Sequence, residues 1–246
     1  MRSFNATLVC LSLCAVATAG AQSRSDAAAA VSLQFTPIAA LPPLATSTIQ
    51  AEVQRGVALG IRYGYLSRPG EGADANNLGI SAILPVGLGA TVSLTAGMFA
   101  LTCDGCDPGL MLSIAADRRL GDLVLGSGRD GSRLQFALNG ELGYGQPQGT
   151  SLADGSVMSG MVGIPISLIS GSRNRDEMRI VPFVTPGFGF GTVRGGDSPS
   201  GSALMIGGGV GIYNRSSSVA FSFGFQHVAV RDAGTMVGLS LVLGGR

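Results

Sequence analysis

Val219-Ala220-Phe221-Ser222-Phe223-Gly224-Phe225-Gln226 decides how this chain folds. Val219, Phe221, Phe223 and Phe225 share one parity; Ala220, Ser222, Gly224 and Gln226 share the other. An extended strand turns successive side chains to opposite faces, so this octet has one large apolar face and one small or polar face. The pattern recurs along the chain. In 133–145, Leu134, Phe136, Leu138, Leu142 and Tyr144 alternate with Arg133, Gln135, Asn139 and Glu141. In 90–100, Val92, Leu94 and Met98 alternate with Thr91, Ser93 and Thr95. In 53–65, Val57, Leu59, Ile61, Tyr63 and Tyr65 alternate with Gln54, Gly56, Gly60, Arg62 and Gly64.

Stretches 78–103, 155–172, 180–193, 198–214 and 216–230 carry no charge. Gly and Pro interrupt each of them, as in Ile83-Leu84-Pro85-Val86-Gly87, and with the period of two this argues against membrane-spanning helices. A soluble sandwich also alternates, but it buries its large residues and turns charge outward. Here the second face is Gly, Ser, Ala and Thr. Large residues facing hydrocarbon and small ones facing a lumen fit a transmembrane barrel, because strands survive in lipid only when closed, with every backbone group paired. Arg55 is an exception, since it shares the outward parity of Val53 and Val57. Either its head reaches the interface from the strand's start or a register break lies there.

Composition excludes several other classes. Gly makes up 39 of 246 residues and charged residues only 13%, against about 25% charged in soluble domains. All 16 basic residues are Arg, and one of them, Arg2, lies in the leader, which leaves 15 against 15 Asp+Glu. A nucleic-acid binder needs a basic excess, and none is present. The apolar balance (mean hydropathy +0.39) opposes disorder and fits a soluble enzyme poorly.

Residues 1–21 read as a cleavable signal peptide: Arg2, an apolar run from Leu8 to Ala17, then Ala19-Gly20-Ala21. The run is too short to anchor the chain in a bilayer. A short buried helix is the alternative. Cys14 would suit lipidation only after a small residue, and Leu13 precedes it. Cys10 and Cys14 leave with the leader. Cys103 and Cys106 flank Asp104-Gly105, and in an exported chain they most simply form a disulfide across a turn tip. Free thiols are the alternative. A redox dithiol needs a helix N-terminus, and zinc needs further Cys or His, of which His227 is the only one.

Ten strands are expected, at 50–66, 78–86, 90–101, 110–118, 133–146, 156–169, 179–194, 202–213, 218–229 and 235–243, giving one up-and-down antiparallel barrel over residues 50–246. An even number is what a single-chain bacterial barrel requires. Eight is the alternative, with two short segments absorbed into loops. Residues 22–49 read as an N-terminal periplasmic extension in which 31–36 could add a short strand. With the N-terminus in the periplasm, connectors 67–77, 102–109, 147–155, 195–201 and 230–234 face outward, and the Cys pair lies on an extracellular loop. Connector 119–132 is long and Gly-rich.

Arg179-Ile180-Val181-Pro182-Phe183-Val184-Thr185-Pro186-Gly187-Phe188-Gly189-Phe190-Gly191 resembles the Pro-aromatic-x-x-x-Gly-x-Gly strand of the small OmpA-like outer-membrane β-barrel family. Met236–Leu243 resembles that family's closing strand. The resemblance implies an outer-membrane location with lipid and the barrel-assembly machinery as partners. Such proteins usually end in an aromatic residue read by that machinery, whereas this chain ends Leu243-Gly244-Gly245-Arg246. The expected aromatic girdle is thin: Tyr63, Tyr65, Tyr144 and Tyr213 near strand ends, and no Trp.

Arg62, Asp117, Arg133, Glu141 and Arg179 fall on the inward parity, where ionised groups need partners; Arg62 with Glu141 is the expected pair. They form either a gate or a plug, and the plug is favoured. A ten-strand lumen is only slightly wider than the eight-strand one that side chains fill, which opposes wide diffusion. Inward Gly207, Gly209 and Gly211 either leave room for a thin channel or permit tight coiling. His227 with Asp232 is the only catalytic pairing on offer, and no Ser nucleophile accompanies it. Gly187-x-Gly189-x-Gly191 is not a nucleotide loop, because no helix follows. Glu71, Asp74, Asp104 and Asp107 are solvated loop acids or, alternatively, a calcium site.

The expectation is therefore a non-enzymatic outer-membrane barrel without cofactor, having a structural, surface-interaction or narrow-channel role. A small solute or surface partner stays unidentified. Its rivals are a soluble periplasmic β protein binding an apolar ligand, and a lipid-modifying outer-membrane enzyme.

Overall fold

Alternation of large and small side chains becomes, in three dimensions, alternation of exposed and buried ones. The computed structural model describes residues 56–67, 74–87, 89–102, 107–125, 131–148, 156–170, 178–194, 200–214, 218–229 and 235–244. These form strands β1 (Ala58–Ser67), β2 (Ala75–Gly87), β3 (Ala90–Leu101), β4 (Asp107–Leu125), β5 (Ser132–Gln148), β6 (Ser156–Gly163), β7 (Ile166–Ile169), β8 (Met178–Arg194), β9 (Ser200–Asn214), β10 (Val219–Val228) and β11 (Thr235–Gly244). No helix among the described residues is long and apolar enough to cross a membrane.

Pairing is antiparallel throughout and follows β4-β3-β2-β1-β11-β10-β9-β8-β6-β5, with β4 and β5 pairing to close the ring. β6 and β7 both lie between β5 and β8, so they are halves of one barrel strand and the ring has 10 strands. The eight-strand alternative is thereby corrected. Following the registers once round the ring climbs about 12 residues along β1, a stagger that belongs with strands tilted about 35–45° to the axis. The β2–β3 turn is tight, with Gly87 (φ 89°) and Gly89 (φ 71°) in the left-handed region open to glycine.

Beyond shifts at several strand starts, such as β2 at 75 and β4 at 107, two differences from the sequence reading have a local cause. The single strand expected over 156–169 breaks at Ile164–Pro165, because Pro165 has no N–H to give the ladder. The break is bridged: Ile164 N donates to Pro186 O (2.9 Å) and Ala137 N to Pro165 O (3.0 Å). In β4, the strand does not stop at 118 but runs to Leu125, shortening connector 119–132 to 126–131. A bulge between Arg119 and Gly121 shifts the register there, so inward residues change from odd to even numbers and Asp122 opposes Gln135. That parity change hid the rest of the strand. Residues 50–55, with Arg55, lie outside the described residues, as do the leader and the 22–49 extension.

Phe221, Phe223 and Phe225 stand on the outside with Ile61, Ile80, Leu94 and Leu142; Ile80 is 64% and Phe223 50% exposed. Their neighbours Ser81, Ser93, Ser222 and Ser240 are buried in the lumen. A soluble protein holding an apolar ligand needs the opposite arrangement, and that alternative is overturned. Outward glycines are roofed by aromatic rings. A Cβ on Gly208 would lie 3.2 Å from the Phe225 ring, and Gly160 sits beneath Phe190, with Leu142 Cδ2 2.7 Å from its Cβ position.

Candidate functional site

Three layers fill the lumen. At the lower end, where β1 begins, Ala58, Ile83, Ile169, Val181, Phe183, Tyr213, Ala220 and Val242 form one apolar cluster. At the upper end, where β1 finishes, Leu66, Ala75, Phe99, Met111 and Met236 form a second, and Met161, Ala203, Met205 and Val228 a third. Tyr213 therefore does not join the expected girdle. It shares the inward parity of Gly209 and Gly211 and is 1% exposed.

Between the apolar layers lies a polar one. Arg62 on β1 and Glu141 on β5 are separated by three strands in the ring of 10, so their side chains meet across the lumen. Arg62 Nη1 lies 3.8 Å from Glu141 Oε1, which also accepts a hydrogen bond from Ser113 Oγ at 3.2 Å. Both charged residues are buried. Asp117 is buried as well, and Asn139 Nδ2 donates to its Oδ1 at 2.6 Å. Hydroxyl pairs finish neighbouring walls: Ser81 with Thr95 (2.8 Å) and Ser222 with Ser240 (3.1 Å). Taking one member from a buried ion pair strands the other charge at a cost of about 3–5 kcal/mol, so each of Arg62 and Glu141 needs the other.

The remaining inward charges sit lower. Arg133 and Arg179 are only partly buried, and Arg133 Nη1 is 3.7 Å from Asp122 Oδ2. Arg119 Nε donates to Asp122 Oδ1 at 3.1 Å, and its Nη2 reaches Oδ2. Asp122 was absent from the sequence-derived set because the β4 bulge had moved it off the alternating parity. Sequence reasoning also missed the bond from Asn139 to Asp117, although the inward parity of Asn139 was legible.

At the upper rim Tyr63 Oη donates to Asn76 Oδ1 (2.8 Å) and Tyr65 Oη to Asp74 Oδ2 (2.5 Å). His227 Nδ1 lies 3.2 Å from Thr235 Oγ1. Among the described residues no three His, Cys, Asp or Glu side chains gather where they would hold a metal ion. Cys103, Cys106, Glu71, Asp104 and Asp232 lie outside the described residues.

No family model matches the chain, and no curated protein matches it. Among solved structures it is similar to the transport unit of the autotransporter AIDA-I from Escherichia coli (11% identity, TM-score 0.45, covering 90% of this chain and 98% of that one). It is also similar to the translocator domain of the autotransporter NalP from Neisseria meningitidis (11%, TM-score 0.37, 81% and 92%). A third is Ail, the attachment invasion locus protein of Yersinia pestis (12%, TM-score 0.33, 76% and 93%). These comparisons assign the chain to no family.

Proposed function

We propose that this chain spans an outer membrane as a sealed barrel whose role is structural or is carried by the connectors it displays at the surface. The observation that carries the reading is the Arg62–Glu141 bridge, closed across the lumen between two apolar layers. A hydrated solute would have to strip its water at both apolar layers and part a buried ion pair between them. The outside supports a lipid setting, with an apolar surface of Leu, Ile, Val and Phe around the ring.

In this reading residues 1–21 direct export, the barrel-assembly machinery inserts the chain, and lipid is its solvent. It belongs with the small OmpA-like barrel proteins that β8 and β11 resemble. It is not an enzyme, and His227 serves as a rim residue bonded to Thr235. The test is the purified full chain in a planar bilayer. Silence under applied voltage is expected, and a steady open-channel current would overturn the reading in favour of a narrow channel.

A further inference from the structure

Five buried side-chain atoms have no hydrogen-bond partner among the described residues: Asn77 Oδ1, Gln135 Nε2, Asn139 Oδ1, Ser167 Oγ and Thr185 Oγ1. Four of them share one wall. Gln135 and Asn139 flank Ala137 on β5, whose amide bonds the Pro165 carbonyl. Ser167 on β7 is the register partner of Gln135. Thr185 on β8 lies beside Gly163, where a Cβ would come 2.9 Å from Thr185 Cγ2. All four therefore surround the strand break at Ile164–Pro165, and each is at most 2% exposed.

Buried polar atoms in native proteins are almost always paired with protein or with ordered water. These four atoms ask for partners of particular kinds. Gln135 Nε2 donates, Asn139 Oδ1 accepts, and the hydroxyls of Ser167 and Thr185 do either. None of the four carries charge. Asn139 is held by its bond to Asp117, which aims its oxygen away from that carboxylate. Gly163 contributes no side chain to fill the wall, while the apolar layers above and below limit the size of any occupant.

We infer that the wall formed by Gln135, Asn139, Ser167 and Thr185 is a binding site for ordered water, which pairs the side-chain groups gathered around the strand break. A water with two to four such partners is well held, and its removal is costly. The inference does not depend on whether the barrel conducts.

Water-oxygen magnetic relaxation dispersion on the full chain in detergent counts long-lived internal waters. Wild type should contain them, and Thr185→Val and Ser167→Ala should each lose at least one. Each variant should also lower the folded-to-unfolded ratio about fivefold or more. The absence of long-lived water in wild type, or an unchanged count in the folded variants, would overturn the site. So would variants at least as stable as wild type, because deleting a truly orphaned hydroxyl relieves a penalty. If one variant fails to fold, the wild-type count and the other variant still decide. A copurifying organic solute seated on this wall in a crystal would also refute water as the ligand.

Discussion

Gly209 on β9 and Gly224 on β10 are register partners whose backbones approach so closely that a Cβ on Gly209 would lie 2.6 Å from Gly224 Cα. Gly79 and Gly97 repeat the relationship between β2 and β3, with the same 2.6 Å. Between β6 and β8, Gly163 and Gly187 do so at 3.2 Å. These pairs let neighbouring strands coil tightly enough for a small barrel to close.

Gly97→Ala and Gly209→Ala should each destabilise the barrel by about 1–3 kcal/mol, the usual cost of overpacking. Gly121→Ala is the control, because nothing lies within 4 Å of its Cβ position. Heat-modifiable gel mobility, which reports the folded barrel, should shift to lower temperature for the first two and stay close to wild type for the third.

The lumen bridge makes a second prediction through a double-mutant cycle. Arg62→Met should cost about 3–5 kcal/mol by leaving Glu141 buried without its cation. Adding Glu141→Gln should return a large part of that loss. Simple additivity of the two changes, measured by chemical unfolding in detergent, would show that the pair is not coupled.

Phe223 stands on the outer face near the middle of β10, beside inward Ser222. Phe223→Arg should cost about 2–4 kcal/mol in a bilayer if it lies at mid-depth. Phe223→Leu, which keeps an apolar group on the outer face, should cost less than about 1.5 kcal/mol. Folding into vesicles titrated with urea checks both.

Cys103 and Cys106 are expected to form a disulfide on an outward-facing loop. A membrane-impermeant maleimide added to intact cells should label the chain only after reduction. Labelling without reductant indicates free thiols, and labelling restricted to broken cells places the loop on the periplasmic side.

The fold was legible where alternation ran uninterrupted. Val219–Gln226 shows both of its faces in eight letters, and the strand boundaries around it differ from the structure by a residue. Legibility failed where one residue changes parity. The β4 bulge reverses the faces from Gly121 onward, and no single-residue property marks it. Pro165 was visible, but its effect depended on a neighbouring strand lending Ala137 N. Tyr213 was misassigned because closeness to a strand end was weighed above parity. Inward charge could be read from the sequence, whereas the distance that brings Arg62 to Glu141 depends on ring size and stagger.

The most direct test reads the environment of successive residues on β10. Single cysteines at 220–226, in a chain with Cys103→Ser and Cys106→Ser, would carry a spin label in lipid vesicles. Labels at 221, 223 and 225 should be relaxed by lipid-soluble oxygen, and labels at 220, 222, 224 and 226 should be shielded, giving a clear period of two. Equal accessibility at all seven positions, or relaxation of the odd positions by a water-soluble reagent instead, would contradict a barrel whose large side chains face hydrocarbon.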